Sequence, residues 1–318
     1  MNKSDDYLWD RSGDADPDVA RLEALMSPLA HDAPLRVRRR RAPWIVASVA
    51  VAAAAGVVAW WQWPGAGPSP CTATTGFKFT SRGGPVECGG AAALSGELPI
   101  GGVLDTGAHE ADLAIADIGK ARLGARTKVR LDGTSATGHH LTLEQGQMHA
   151  RVAAPPRLFQ VSTKSTEVTD LGCEYTIQID AAGAGQIRVQ TGRVELQTKS
   201  GAIVVATRKT STAILPGRQP GLPVGDDASP ALLGAVEDYQ RGKPGAIDRI
   251  LAAATANDAI TVINLAAVLG DDRVHKHAVL QRLAELSPPP QDIDADRAAT
   301  DDKALGSWRL DVISGHPE

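Results

Sequence analysis

The chain has 318 residues, 43% of them hydrophobic and 22% charged, with a formal net charge of −4. That length and balance allow one or two globular domains besides an anchor, and the charge excludes any need for a polyanionic partner. With three phenylalanines and three tyrosines, a core must rest mainly on Val, Ile, Leu and Ala.

Residues 1–41 form the first segment, and its first 35 residues set Lys3, Arg11 and Arg21 against eight aspartates and glutamates. Within it "DPDVARLEALMSPL" (Asp16 to Leu29) carries a helix start. Asp16 suits the N-cap, Pro17 the first helical position and Asp18 the positive end of the dipole. Val19, Leu22, Leu25, Met26 and Leu29 then recur at helical spacing, and Tyr7, Leu8 and Trp9 add apolar surface upstream. A helix this short is marginal alone, so its stripe is expected either to rest on a membrane surface or to bind a partner. The partner-binding candidates are Trp9, Val19, Leu22, Leu25 and Met26.

"RVRRRRAPWIVASVAVAAAAGVVAWWQW" follows. A helix needs ~20 apolar residues to cross a ~30 Å hydrocarbon core, and Ala42 to Trp61 supplies them. Trp44 stands at one end and Trp60, Trp61 and Trp63 at the other, where amphipathic rings favour the headgroup zone. A cleaved signal would lie within the first ~30 residues. A single transmembrane helix is therefore expected over 42–63. Arg36, Arg38, Arg39, Arg40 and Arg41 precede it, whereas the first charge beyond it is Lys78. That bias places residues 1–41 in the cytoplasm and the rest outside. The same arginines could serve nucleic acid, but membrane adjacency accounts for them more economically, so no nucleic-acid partner is expected.

Residues 64–97, rich in Gly, Pro, Ser and Thr, read as linker. The cysteines, Cys71, Cys88 and Cys173, all fall on the outer side, where disulfides persist. Three pairings are open, and Cys71–Cys88 is favoured because both lie in a stretch that needs a tether. Three unpaired thiols are the alternative. No C-x-x-C occurs, so neither a redox motif nor a zinc ribbon is indicated.

Over 98–219, alternating runs such as "ADLAIADI", "TKVRL", "LFQVST", "EYTIQID", "RVELQT" and "AIVVATR" follow one another at roughly 8–12-residue intervals, the pattern of a sandwich, jelly roll or β-solenoid. Over 229–313 the period turns helical. "PALLGAVEDYQ", "GAIDRILAAATA", "DAITVINLAAVL" and "DRVHKHAVLQRLAEL" read as two HEAT-like hairpins, and a last helix, about Asp301 to Val312, returns Leu305, Trp308 and Leu310 to the bundle. The expected fold class is multidomain: one transmembrane helix, an all-β domain, then a small α-helical domain.

Chemistry is sparse. There is no G-x-S-x-G, H-E-x-x-H, P-loop or G-x-G-x-x-G. His139 and His140, adjacent on a strand, point to opposite faces, and His149 adds at most a second imidazole to either. His275 and His277 face differently on a helix. No catalytic residue, metal site or cofactor is expected.

The segment "APPRLFQVSTKSTEVTDLGCEYTIQIDAAGAGQIRVQTGRVEL" resembles the FecR-type domain of bacterial membrane-anchored regulators of extracytoplasmic-function sigma factors. The family's F-x-V-x-T appears as Phe159 to Thr163. Its L-G-T-x-F/Y-x-V appears from Leu171 through Gly172, Cys173 and Tyr175 to Ile177, and its V-x-x-G-x-V around Gly192. Upstream, "LTLEQGQMHARV" matches L-x-L-x-x-G-x-x-x-A-x-V. Cys173 replaces the usual threonine, as in a "DLGC-Y" subgroup. The motif, which also includes Val161, reads as structural, with Phe159, Leu171 and Tyr175 in the core and Gly172 and Gly192 at turns or close approaches. The resemblance implies a regulator in the bacterial inner membrane, with its N-terminus in the cytoplasm acting on a sigma factor and its β domain sensing a periplasmic protein or cell-envelope ligand. The alternative is an envelope-anchored binding or scaffold protein contacting cell wall, polysaccharide or a protein complex, without sigma-factor control.

Overall fold

The computed structural model describes Cys71, residues 75–198 and residues 201–315. The strands in chain order are β1 (Gly76–Arg82), β2 (Val86–Cys88), β3 (Ala91–Ala93), β4 (Ser95–Pro99), β5 (Val103–Asp105), β6 (Glu110–Ile115), β7 (Gly119–Leu123), β8 (Lys128–Ser135) and β9 (Gly138–Val152). They continue as β10 (Phe159–Ser162), β11 (Thr166–Asp170), β12 (Glu174–Ile179), β13 (Gly185–Thr191), β14 (Arg193–Thr198), β15 (Ile203–Thr207), β16 (Thr210–Ile214) and β17 (Val224–Gly225). The helices follow: α1 (Pro230–Gln240), α2 (Ala246–Ala253), α3 (Ala259–Val268), α4 (Arg273–Leu286), α5 (Ala295–Thr300) and α6 (Asp302–Gly315).

The strands form two sheets that share β9. One runs β4-β1-β6-β7-β9-β12-β13-β16-β17, antiparallel throughout. The other runs β3-β2-β5-β8-β9-β10-β11-β14-β15, with β9–β10 its parallel pair. The first half of β9 belongs to the second sheet and the second half to the first. The change of sheet comes at Gly146, where φ is 98° and an added Cβ would lie 2.4 Å from Thr127 Cα. Any side chain there would collide with backbone. The buried Thr127 hydroxyl fastens the crossing by donating to Gln147 O at 3.1 Å and accepting from Gln147 N at 3.0 Å. Alternate residues of every long strand face one core, in which Phe77, Leu113, Leu141, Phe159, Tyr175 and Leu196 are fully buried.

Three sequence expectations are corrected here. Among the described residues no helix is long and apolar enough to cross a membrane. The longest, α4 and α6, have 14 residues and reach about 21 Å, short of a ~30 Å core. The segment 42–63, where the span was expected, and the candidates Trp9, Val19, Leu22, Leu25 and Met26 lie outside the described residues. Second, strands and helices are not separate domains, since both fall within one compact unit, Gly65–Glu318, and their apolar residues join one core. Third, the stretch read as linker supplies β1 to β4. Phe77 and Phe79 alternate into the core with Lys78 and Thr80 outward, a period-2 signal short enough to be lost among flanking Gly, Ser and Thr.

The helices also depart from a HEAT-like stack. Helix α3 is buried on nearly every side, as suits its apolar sequence AITVINLAAV, and it packs against α4, α6 and β15. On α6, Leu305, Trp308 and Val312 share the buried stripe, whereas Leu310 is 65% exposed on the opposite face. Local signals set the ends. Ser229 Oγ caps α1 by accepting from Leu232 N at 3.1 Å, and Asp272 caps α4 by accepting from His275 N at 3.2 Å.

Candidate functional site

Two places concentrate polar groups inside this unit. The first is the turn between β11 and β12. Gly172, at φ 90°, turns the chain back, and the Asp170 carboxylate accepts from Gly172 N at 2.7 Å and from Cys173 Sγ at 2.8 Å. Asp170 and Cys173 are buried. Burial pushes the Asp170 carboxyl up, although hydrogen bonds from the Cys173 thiol and from the backbone of Gly172 and Cys173 partly oppose the rise. Burial also pushes the Cys173 thiol up, and the nearby Asp170 carboxylate adds to this. Tyr175, fully buried behind them, is raised by burial first and then by the same neighbours, and its hydroxyl has no hydrogen-bond partner.

A thiol held protonated and away from solvent is a poor nucleophile, so this cluster fixes a turn rather than performing chemistry. Gly192 completes it from the β13–β14 turn. At φ 71°, an added Cβ there would lie 2.2 Å from Gly172 O and 2.9 Å from Cys173 Cβ. Phe159 and Val161, on β10, are fully buried, and Leu171 is half-buried at the turn. The structure thus brings Leu171, Gly172, Cys173, Tyr175 and Gly192 together. Asp170, the first residue of the "DLGC-Y" pattern, holds the turn. An aspartate just before a glycine turn, able to bond its own backbone two residues on, is the signal that identifies it.

The second place is the edge of β15. Asn264, fully buried in the middle of α3, accepts from Val205 N at 2.8 Å and donates to Val205 O at 3.0 Å. Its amide therefore pairs with the edge strand as another strand's backbone would. Arg309 Nη2 adds bonds to Ile203 O at 2.9 Å and to Asn264 Oδ1 at 3.0 Å. Thr261 Oγ1 donates to Pro223 O at 2.6 Å. Beside this junction a cleft of about 480 Å³ opens between the β14–β15 turn, the α3–α4 turn and α6, with Lys276 and Arg309 on its walls.

Elsewhere, Cys71 and Cys88 are joined by a disulfide with their Cα atoms 5.9 Å apart. The histidines are dispersed. His139 is buried against Phe77 and bonded to Thr134 Oγ1 at 2.7 Å, and burial lowers its pKa. His140 is exposed, and His149 bonds Thr176 and Glu174, each at 3.0 Å. His275 pairs with Asp272 at 2.6 Å, and His277 with Asp296. Among the described residues no group of three or more His, Cys, Asp or Glu side chains could hold a metal ion.

With this geometry in place, comparison with known proteins locates the β unit. The family model described as "FecR protein" matches residues 103–215, from the first residue of β5 to just past β16. The comparison with curated proteins found no match. Among solved structures, two crystal structures described as "a putative anti-sigma factor from Parabacteroides distasonis" are similar. The one at 1.65 Å is 16% identical with a TM-score of 0.35, and its match covers 42% of this chain and 63% of that one. The one at 2.50 Å is 17% identical with a TM-score of 0.34, covering 41% and 60%. This chain therefore spans less than two thirds of either, and likeness at that level carries no argument about function. The match to the FecR protein family model thus spans residues 103–215 of the 318, and the interlocked turn of Asp170, Gly172, Cys173 and Gly192 lies within it.

Proposed function

We propose that this chain is a regulator of the FecR type, with its β unit in an oxidising compartment outside the cytoplasm and its N-terminal segment acting on an extracytoplasmic-function sigma factor. The family match at residues 103–215 carries the reading. The Cys71–Cys88 bond supports the compartment, because disulfides persist in oxidising surroundings. In the N-terminal segment, Val19, Leu22, Leu25 and Met26 offer an apolar stripe among acidic residues, which suits a partner with a basic, promoter-binding surface. The chain works by binding rather than turnover, and its outer partner is a periplasmic protein or cell-envelope ligand.

The test is crosslinked co-purification of the full-length chain from its own cells, beside a Leu22→Asp, Leu25→Asp double variant. Burying one leucine at such an interface is worth roughly 1.5–3 kcal/mol, so the double variant should lose a retained sigma factor by several orders of magnitude in affinity. If no sigma factor is retained, or the double variant keeps it, the reading fails. Retention of envelope proteins alone would replace it with that of an envelope scaffold.

A further inference from the structure

The cleft beside the β15 junction is kept open by small residues. A Cβ atom built at Gly201, Gly270 or Gly306 meets nothing within 4 Å; Gly201 and Gly270, at φ 87° and 55°, are held to glycine by their backbone, whereas Gly306, inside a helix, has room for a side chain. Three cations line this space, Arg273 and Lys276 on α4 and Arg309 on α6, beside the carboxylates of Asp271 and Asp302, and of them Lys276 is buried and Arg309 partly buried. Lys276, on α4, has a side chain only 8% exposed, and its ion-pair partner is Asp302 at 3.7 Å, whose own side chain is 98% exposed. Such a pair is mismatched. The ammonium has lost its water while the carboxylate has kept nearly all of its own, and an ion pair with one hydrated partner offsets little of the other's desolvation. Arg309, on α6, spends Nη2 on Ile203 O and Asn264 Oδ1, yet its buried Nε has no acceptor. Lys276 and Arg309 thus line one cleft with their charges only partly offset, by Asp302 and by Glu195 respectively.

We propose that this cleft binds a small oxyanion, a carboxylate or phosphate group, held by Lys276 and Arg309 in place of the loose contact between Lys276 and Asp302. A volume of about 480 Å³ falls in the range of small-molecule sites, about 300–1,000 Å³. Because Asp302 competes for Lys276, removing its charge should tighten binding. The site rests on the helices' own geometry and is independent of the sigma-factor reading.

The experiment is isothermal titration calorimetry of the full-length chain, separately with sodium phosphate and sodium succinate, each to about 10 mM against sodium chloride at equal ionic strength. Saturable binding of at least one oxyanion is expected, and which one binds identifies the group. Lys276→Met should weaken it at least tenfold and Asp302→Asn should tighten it several-fold. Gly306→Leu should abolish it by filling the cleft. That last substitution lies inside a helix, where leucine is favoured over glycine, so it tests the site even if Lys276→Met fails to fold. Flat heats with both anions overturn the proposal, as does wild-type affinity in Gly306→Leu. Weaker binding by Asp302→Asn overturns the competition.

Discussion

Replacing Asn264 with leucine tests how the helices are held on the sheet. Leucine keeps nearly the same volume in the middle of α3 and removes the amide that pairs with both backbone groups of Val205. Those two groups would be left buried without partners, at about 1–3 kcal/mol each. Arg309 would lose one of the two acceptors of Nη2, a charged bond worth about 1.5–3 kcal/mol. Burying the leucine side chain returns about 1.5–3 kcal/mol, leaving a net loss of about 4 kcal/mol, a large share of the roughly 5–15 kcal/mol typical of a folded domain. Urea unfolding followed by circular dichroism should show a lower midpoint at unchanged slope, and hydrogen exchange should show the Val205 amide losing protection. Thr261→Val, which removes the single bond to Pro223 O, should cost only about 1 kcal/mol. If apolar packing alone docks α3, Asn264→Leu should be neutral or stabilising, and a Val205 amide as protected as in the wild type would refute the pairing.

Further outcomes concern the turn held by Asp170 and Gly192 and the separate Cys71–Cys88 disulfide. The folded-state pKa of Asp170 is raised above the ordinary 3.8 by burial, so its contribution to stability is full below that value and lost as pH rises through the folded one. The stability difference between wild type and Asp170→Asn should therefore move in favour of wild type as pH falls from about 7 towards about 4, and a pH-independent difference would contradict this. Gly192→Ala forces a Cβ to within 2.2 Å of Gly172 O at φ 71° and should cost at least about 2 kcal/mol in urea unfolding, where a loss below half that would show that the turn gives way. Mass spectrometry without reduction should find the Cys71 and Cys88 peptides linked and Cys173 free. Replacing Cys88 with alanine, across a separation of 17 residues, should then cost about 3 kcal/mol.

What the sequence disclosed was what period and local chemistry encode. The alternation in "EYTIQID" and "RVELQT" marks β12 and β14 because each has one face in the core, and Ser229 with Pro230 marks the start of α1. What it withheld was tertiary. Nothing local distinguishes Asn264 from an ordinary mid-helix asparagine, since its partner lies 59 residues away. The same holds for Lys276, which reads as a solvated helix charge but has a buried side chain in the fold. The assignment of Leu310 to the core failed because apolar character was weighed without its angular position. The stripe through Leu305, Trp308 and Val312 passes it by.

The edges of the two sheets give the helical block a reason to be where it is. An open strand edge invites pairing with another chain, and proteins blunt such edges by shortening or covering them. Here β17 has two residues and β3 three. At β4 the Cys71 carbonyl accepts from Glu97 N at 3.4 Å, and Cys71 is tied in turn to Cys88. The remaining edge, β15, has five residues of high β propensity, IVVAT, and is the most hazardous of the four. It is also the one that α3 covers, with an amide that mimics a strand. Helices here therefore serve the sheet before they serve any ligand. Another chain adding a strand at β15 must first displace Asn264 and Arg309. While α3 stays docked, that edge is closed to strand addition.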